Sequence, residues 1–197
     1  MLNKVAEANL PSRFGHFRIF GFEGQYRGVT EECVVLRMGQ VSDPTDPPLV
    51  RIHSECLTGD VFHSLRCDCR SQLELALNLI AEESRGILIY EHQEGRGIGL
   101  LNKLRAYELQ DHGADTVEAN ERLGFKADLR DYQMPAEILH YLGVSHVRLL
   151  SNNPEKIAAL ERAGIEVTER IPCLVPAHEA TRGYLRTKKQ KMGHLLE

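Results

Sequence analysis

Three thiols in one short stretch constrain this chain more than any other feature. Cys56 and Cys67 are separated by ten residues and Cys67 and Cys69 by one, so a single turn of chain between the first two brings all three sulfurs to a common point. The Cys-x-Cys pair places two side chains on the same side of an extended segment. Such a convergence reads as a zinc site with three soft ligands. Structural zinc is closed by four protein ligands, whereas catalytic zinc keeps three and leaves a position for water, whose pKa falls to about 7. Spacing leaves the accounts open: an open catalytic site, a closed structural site with His53 or His63 as fourth ligand, or three buried free thiols. Cys33, inside an apolar run, and Cys173 are expected to be small buried hydrophobes.

Compartment decides whether thiols meet a metal or each other. Met1 to Glu7 has no basic stretch followed by an apolar one and no small-residue cleavage signal, so a cytoplasmic protein is expected, in which five cysteines favour metal. No apolar run approaches the ~20 residues that span a bilayer, so no membrane partner is expected. A net charge of −4 argues against a general nucleic-acid binder, while local arginines still suit small anionic ligands. With 197 residues, 42% of them hydrophobic, the chain is expected to form a single domain over 1–197. Its C-terminal tail, 177–197, is polar and basic, and that composition marks it as a candidate for flexibility.

The fold expected is α/β in the mixed α+β sense: antiparallel N-terminal strands, then βαβ units with helices packed on a mixed sheet. Gly15 to Phe22, Cys33 to Met38 and Leu49 to His53 read as strands of an antiparallel region, with Ser42 to Pro48 an exposed turn that its prolines keep from pairing. Ser71-Gln-Leu-Glu74 is a capping-box pattern, and Leu73, Ala76, Leu77 and Ile80 follow at helical spacing until Gly86. Gly86 to Tyr90 is apolar throughout, as in a strand buried on both faces. Next come a glycine loop, Glu91 to Gly99, and a helix over about 100–111; unpaired N–H groups at such a helix start cradle anions, and a tight glycine turn is an equal account. Asp115 to Tyr132 reads as loop with one helical turn. A helix over about 135–142, a strand over 145–150, a helix capped by Asn153 with Pro154 at its first position, and a strand over 165–171 complete a parallel βαβ unit.

Several uncommon blocks carry a resemblance: Arg51-Ile-His-Ser-Glu-Cys-Leu-Thr-Gly-Asp60, Ser64-Leu-Arg-Cys-Asp-Cys69, Gln93-Glu-Gly-Arg-Gly-Ile-Gly-Leu-Leu-Asn-Lys103 and Asp115-Thr-Val-Glu-Ala-Asn120. In order and spacing they resemble GTP cyclohydrolase II over essentially the whole chain. The resemblance implies hydrolysis of GTP to formate, pyrophosphate and 2,5-diamino-6-ribosylamino-4(3H)-pyrimidinone 5′-phosphate, the first step of riboflavin biosynthesis. It implies zinc on Cys56, Cys67 and Cys69, magnesium with the triphosphate, a homodimer, and a single-function form. It carries GTP contacts onto Arg51, Ile52, His53, Ser54, Glu55, Gln72, Glu94, Gly95, Arg96, Thr116, Ser151 and Lys156. Asp128 is implied as proton acceptor, Arg130 as a nucleophile toward the α-phosphate, and Tyr107 as an aromatic beside the reacting purine. A guanidinium keeps its proton, so electrostatic stabilisation is the easier role for Arg130. Ser151 stands where the family usually has threonine, and Arg70 where it has glycine. Two rival readings are a nucleotide-binding module that zinc merely stabilises, and a zinc deaminase, whose His-x-Glu…Pro-Cys-x-x-Cys signature is absent.

Overall fold

A computed structural model of the chain describes residues 1–126 and 128–176, together with Thr181, Thr187, Gly193 and Leu195. Apart from those four, the tail expected over 177–197 lies outside the described residues. The strands are β1 (Asn3–Ser12), β2 (Gly15–Tyr26), β3 (Val29–Met38), β4 (Leu49–Ser54), β5 (Gly86–Glu91), β6 (His146–Leu150) and β7 (Glu166–Ile171). They form one sheet in the order β1-β2-β3-β5-β4-β6-β7. The helices are α1 (Leu57–Asp60), α2 (Cys69–Glu82), α3 (Leu100–Asp111), α4 (Thr116–Arg122), α5 (Gln133–Tyr141) and α6 (Pro154–Arg162).

The sheet is mixed, as expected, but its seam falls elsewhere. β1, β2, β3 and β5 pair antiparallel, whereas β5, β4, β6 and β7 run parallel. Leu49 to His53, expected in the antiparallel region, therefore belongs to the parallel half. The unpaired proline segment carries the chain past the place beside β3, and β5 fills that place later. β1 was not foreseen: most of its residues are exposed, so it carries no apolar alternation to read.

Alternation on the central strands sorts side chains to two layers. Val50 and Ile52 of β4 join Ile87 and Ile89 of β5 against Ile138 of α5 and Leu160 of α6. Leu49 and Leu88 face Ala76, Leu77 and Ile80 of α2 on the opposite side. Arg51 and His53 point the same way as Leu49, which puts two polar groups under α2. The connection leaving β4 climbs one face to α2 and that leaving β6 enters α6 on the other, so a crevice opens at the carboxyl ends of these strands, the usual place for a ligand in an open α/β sheet.

Helix starts differ from expectation in two places. α2 begins at Cys69 with Asp68 as its N-cap residue, so Ser71 to Glu74 lies inside the helix and is not a capping box. The box is instead at α4, where Asp115 accepts from Val117 and Glu118 N–H groups and Glu118 accepts from Asp115, and the segment read as one helical turn is a seven-residue helix. α6 has the expected cap, Asn153 Oδ1 accepting from Glu155 N at 3.0 Å with Pro154 at the start. Cys33 and Cys173 are buried, as expected. No helix among the described residues is long and apolar enough to cross a membrane.

Candidate metal centre and substrate cleft

The chain leaving β4 turns at once into α1, and that turn sets the thiols. Cys56, Cys67 and Cys69 offer sulfurs that all lie within 4.8 Å of one another, and the group could hold a metal ion. Gly59 floors the cluster: a Cβ there would stand 2.8 Å from Cys67 Sγ and 3.2 Å from Cys56 Sγ. Asp60, buried beneath, ties the turn to the sheet by accepting from Cys56 N at 3.0 Å and from the Tyr90 hydroxyl at 2.9 Å. His53 presents Nε2 to the same carboxylate at 3.1 Å and His63 is exposed, so neither closes the site as a fourth ligand.

Charge on the thiols favours a soft cation. Hydrogen bonds from Cys67 and Cys69, ahead of Lys103, pull the Cys56 thiol far down, while its bond with Cys56 pushes Cys67 up to about 11 and Cys69 rises well above the usual thiol range. One thiolate among three sulfurs is a donor set that suits zinc, which displaces the remaining protons on binding. Lys103 Nζ lies 3.1 Å from Cys56 Sγ and 2.7 Å from Glu94 Oε1. The other oxygen of Glu94 accepts from Leu57 N at 2.7 Å, so this carboxylate is committed to the thiol turn.

A cleft of about 640 Å³ opens from the thiols. Of the residues singled out from sequence, Ser54, Glu55, Glu94, Gly95, Arg96, Tyr107, Thr116 and Arg130 line it with the three cysteines. A smaller cavity beside it takes in Arg51, His53, Gln72, Ser151 and Lys156, with Ser54, Cys69, Arg96 and Arg130 common to both. The side chain of Ile52 is instead fully buried in the core, and its carbonyl accepts from Lys156 Nζ at 2.8 Å. Asp128 stands behind Arg130 in a bidentate pair, Arg130 Nε to Asp128 Oδ1 at 2.9 Å and Nη2 to Oδ2 at 2.5 Å.

Each element places its side chain for a local reason. Tyr107, on the second turn of α3, reaches Thr58 Oγ1 at 3.2 Å, and burial raises its phenol pKa. The glycine loop is a 3₁₀ turn in which Gly95 has φ 63°, and a Cβ on it would come within 3.1 Å of Lys103 Cβ. Gln93 holds the residue that follows Arg130, accepting from Asp131 N at 3.0 Å and donating to Asp131 O at 2.7 Å. Burial lowers the Lys156 pKa strongly, helped by Arg51 and Arg130 nearby. Burial lifts the Glu91 carboxyl to about 7 against the pull of Lys156 and Arg130.

Sequence reasoning assigned no role to Thr58, Gly59, Asp60, Glu91, Gln93 or Lys103. Asp60 and Lys103 close two of the blocks that carry the resemblance, which was the one available signal. Their partners lie on other elements and leave no trace in local spacing.

A three-thiol centre opening on a cleft with arginines and a lysine, at the carboxyl ends of parallel strands, defines an α/β protein equipped to hold a metal ion beside an anionic ligand. The chain belongs to the GTP cyclohydrolase II family, whose model matches residues 3–172. It is 54% identical over 192 residues to the GTP cyclohydrolase-2 of Haemophilus influenzae (strain PittEE), covering 98% of this chain and 88% of that protein. It is 54% identical over 196 residues to the riboflavin biosynthesis protein RibBA of Bacillus velezensis, covering 100% of this chain and 49% of that protein, so the chain spans about half the length of this relative. A solved structure of RibBX, a two domain 3,4-dihydroxy-2-butanone 4-phosphate synthase from A. baumannii, aligns with 87% of this chain and 39% of its own at a TM-score of 0.45 and 16% identity.

Proposed function

We propose that this chain hydrolyses GTP at two places, releasing formate from the purine ring and pyrophosphate from the triphosphate and leaving 2,5-diamino-6-ribosylamino-4(3H)-pyrimidinone 5′-phosphate. The observation that carries the reading is the meeting of the three thiols with Tyr107 and Arg130 along one cleft. Zinc held by Cys56, Cys67 and Cys69 would supply Lewis-acid activation of water beside the ring.

The chain's own groups account for the rest. The raised Tyr107 pKa keeps its phenol protonated, so it can donate to a ring nitrogen as C8 is attacked. Arg130 is held cationic: burial opposes its charge, but Tyr132 and Asp128 outweigh burial and raise its pKa further. A guanidinium so held has no lone pair to offer, and its part is electrostatic stabilisation of the α-phosphate. Asp128 remains ionised, because Arg130 overcomes the effect of its burial, and it orients that guanidinium. Arg51, Ser151 and Lys156 line the smaller cavity beside the start of α6, where a triphosphate with its magnesium would meet polar side chains and the Arg51 guanidinium. Following the resemblance, the working form is a homodimer.

The test is to incubate the protein with GTP and magnesium while following formate, pyrophosphate and the ultraviolet spectrum. Formate and pyrophosphate together are expected. An intact bound nucleotide would make the thiols structural only, and release of ammonia would point to deamination.

A further inference from the structure

We propose that Lys103 is a positioning residue of the metal centre: held by Glu94, its ammonium donates a hydrogen bond to the Cys56 sulfur that tempers this thiolate and sharpens a bound divalent metal as a Lewis acid. The inference rests on reading the three thiols as a metal site. Three thiolates around a dication leave a net negative charge, and their strong donation weakens the metal's pull on any further ligand. A cation hydrogen-bonded to one of them reverses part of that donation, because a group behind a metal ligand tunes the metal through that ligand.

Lys103 is built for this and not for solvent. It is 9% exposed, with Nζ 3.1 Å from Cys56 Sγ and 2.7 Å from Glu94 Oε1. Its backbone N–H donates to Gly99 O at 3.0 Å in the first turn of α3, and Gly95 packs against its Cβ, so the stem has little room to swing. Glu94 is fixed in turn by Leu57 N, the residue after Cys56, and by Gly95 N at 2.8 Å. One carboxylate thus binds both the ammonium and the turn that carries the thiol.

A lysine that merely braces Glu94 would affect stability alone; one that acts on the sulfur must change the metal's electronic spectrum. The protein is loaded with Co(II), whose sulfur-to-cobalt charge-transfer absorption reports how strongly the thiolates donate. In Lys103→Met the band is expected to move to longer wavelength. The kcat for formate release is expected to fall about 10- to 100-fold, with the KM for GTP changed less than about twofold. Lys103→Arg, which keeps the charge, is expected to restore most of the band position. An unshifted band in folded Lys103→Met overturns the proposal. If that variant does not fold, Lys103→Gln, which retains a donor for Glu94, carries the same test, and an unshifted band there overturns it equally. Absence of the charge-transfer band in the parental protein overturns the metal reading itself, which keeps the two failures apart.

Discussion

A methyl group on residue 59 would stand 2.8 Å from Cys67 Sγ, a contact that real Cβ atoms do not tolerate, and a tight 3.1 Å from Cys69 Cβ. Because α1 is a single short turn, Gly59→Ala has to push the thiols apart or lift the turn off Asp60. The expected outcome is a zinc affinity lower by about 10- to 100-fold with circular dichroism unchanged, measured by competition with a chromogenic chelator. Parental affinity would show that the cluster accommodates the methyl. Glu91 makes a second prediction at this scale. Its folded pKa is raised from 4.5 to about 7, so between those values the folded state holds a proton that the unfolded chain has lost, and stability falls as pH rises. At about 1.4 kcal/mol per unit the loss is on the order of 3 kcal/mol. Glu91→Gln cannot ionise, so urea unfolding of this variant is expected to be less pH-dependent through that window, and an unchanged slope would sink the assignment.

At the scale of elements, α6 shows how a cap serves a site. Asn153 closes the helix start through Glu155 N and also donates from Nδ2 to Tyr132 OH at 3.2 Å, tying α6 to the segment after Arg130. Asn153→Ala is expected to lower stability by about 1 to 2 kcal/mol and to raise the KM for GTP more than that for GMP, since Lys156 sits in the first turn. Equal effects on both nucleotides would separate the cap from the phosphates. α6 was also legible in advance, because Asn153, Pro154 and Gly164 are local signals, as the three thiols were. Ser71 to Glu74 misled because the Asp68 turn, with Gln72 Nε2 bound to Asp68 Oδ2 at 2.5 Å, starts the helix earlier than its pattern suggests. The parallel setting of β4 and the roles of Asp60 and Lys103 depend on strand order, which no short window contains.

Taken whole, the molecule is stitched by long-range bonds: Arg51 Nη1 reaches Leu150 O at 3.0 Å across a separation of 99 residues, and Lys156 reaches Ile52 O across 104. The three thiols, the Tyr107 helix and the Arg130 pair therefore meet the adjoining cavity of Arg51 and Lys156 only when β6 and α6 have docked. The insertion of β5 between β3 and β4 also dictates an order of assembly. The β1-β2-β3 meander can close from neighbouring sequence, yet the outer edge of β3, with Val34, Val35 and Leu36 along it, has no partner until a strand some fifty residues later arrives. An open, apolar edge of that length recruits other chains while it waits. Refolding by dilution from denaturant is expected to lose yield steeply as protein concentration rises through the micromolar range, through aggregates rich in intermolecular β-structure. A yield independent of concentration would mean that β5 docks before β3 is ever exposed. The strand that carries the chain into the glycine loop is thus also the one that shields the half-folded chain from its own copies.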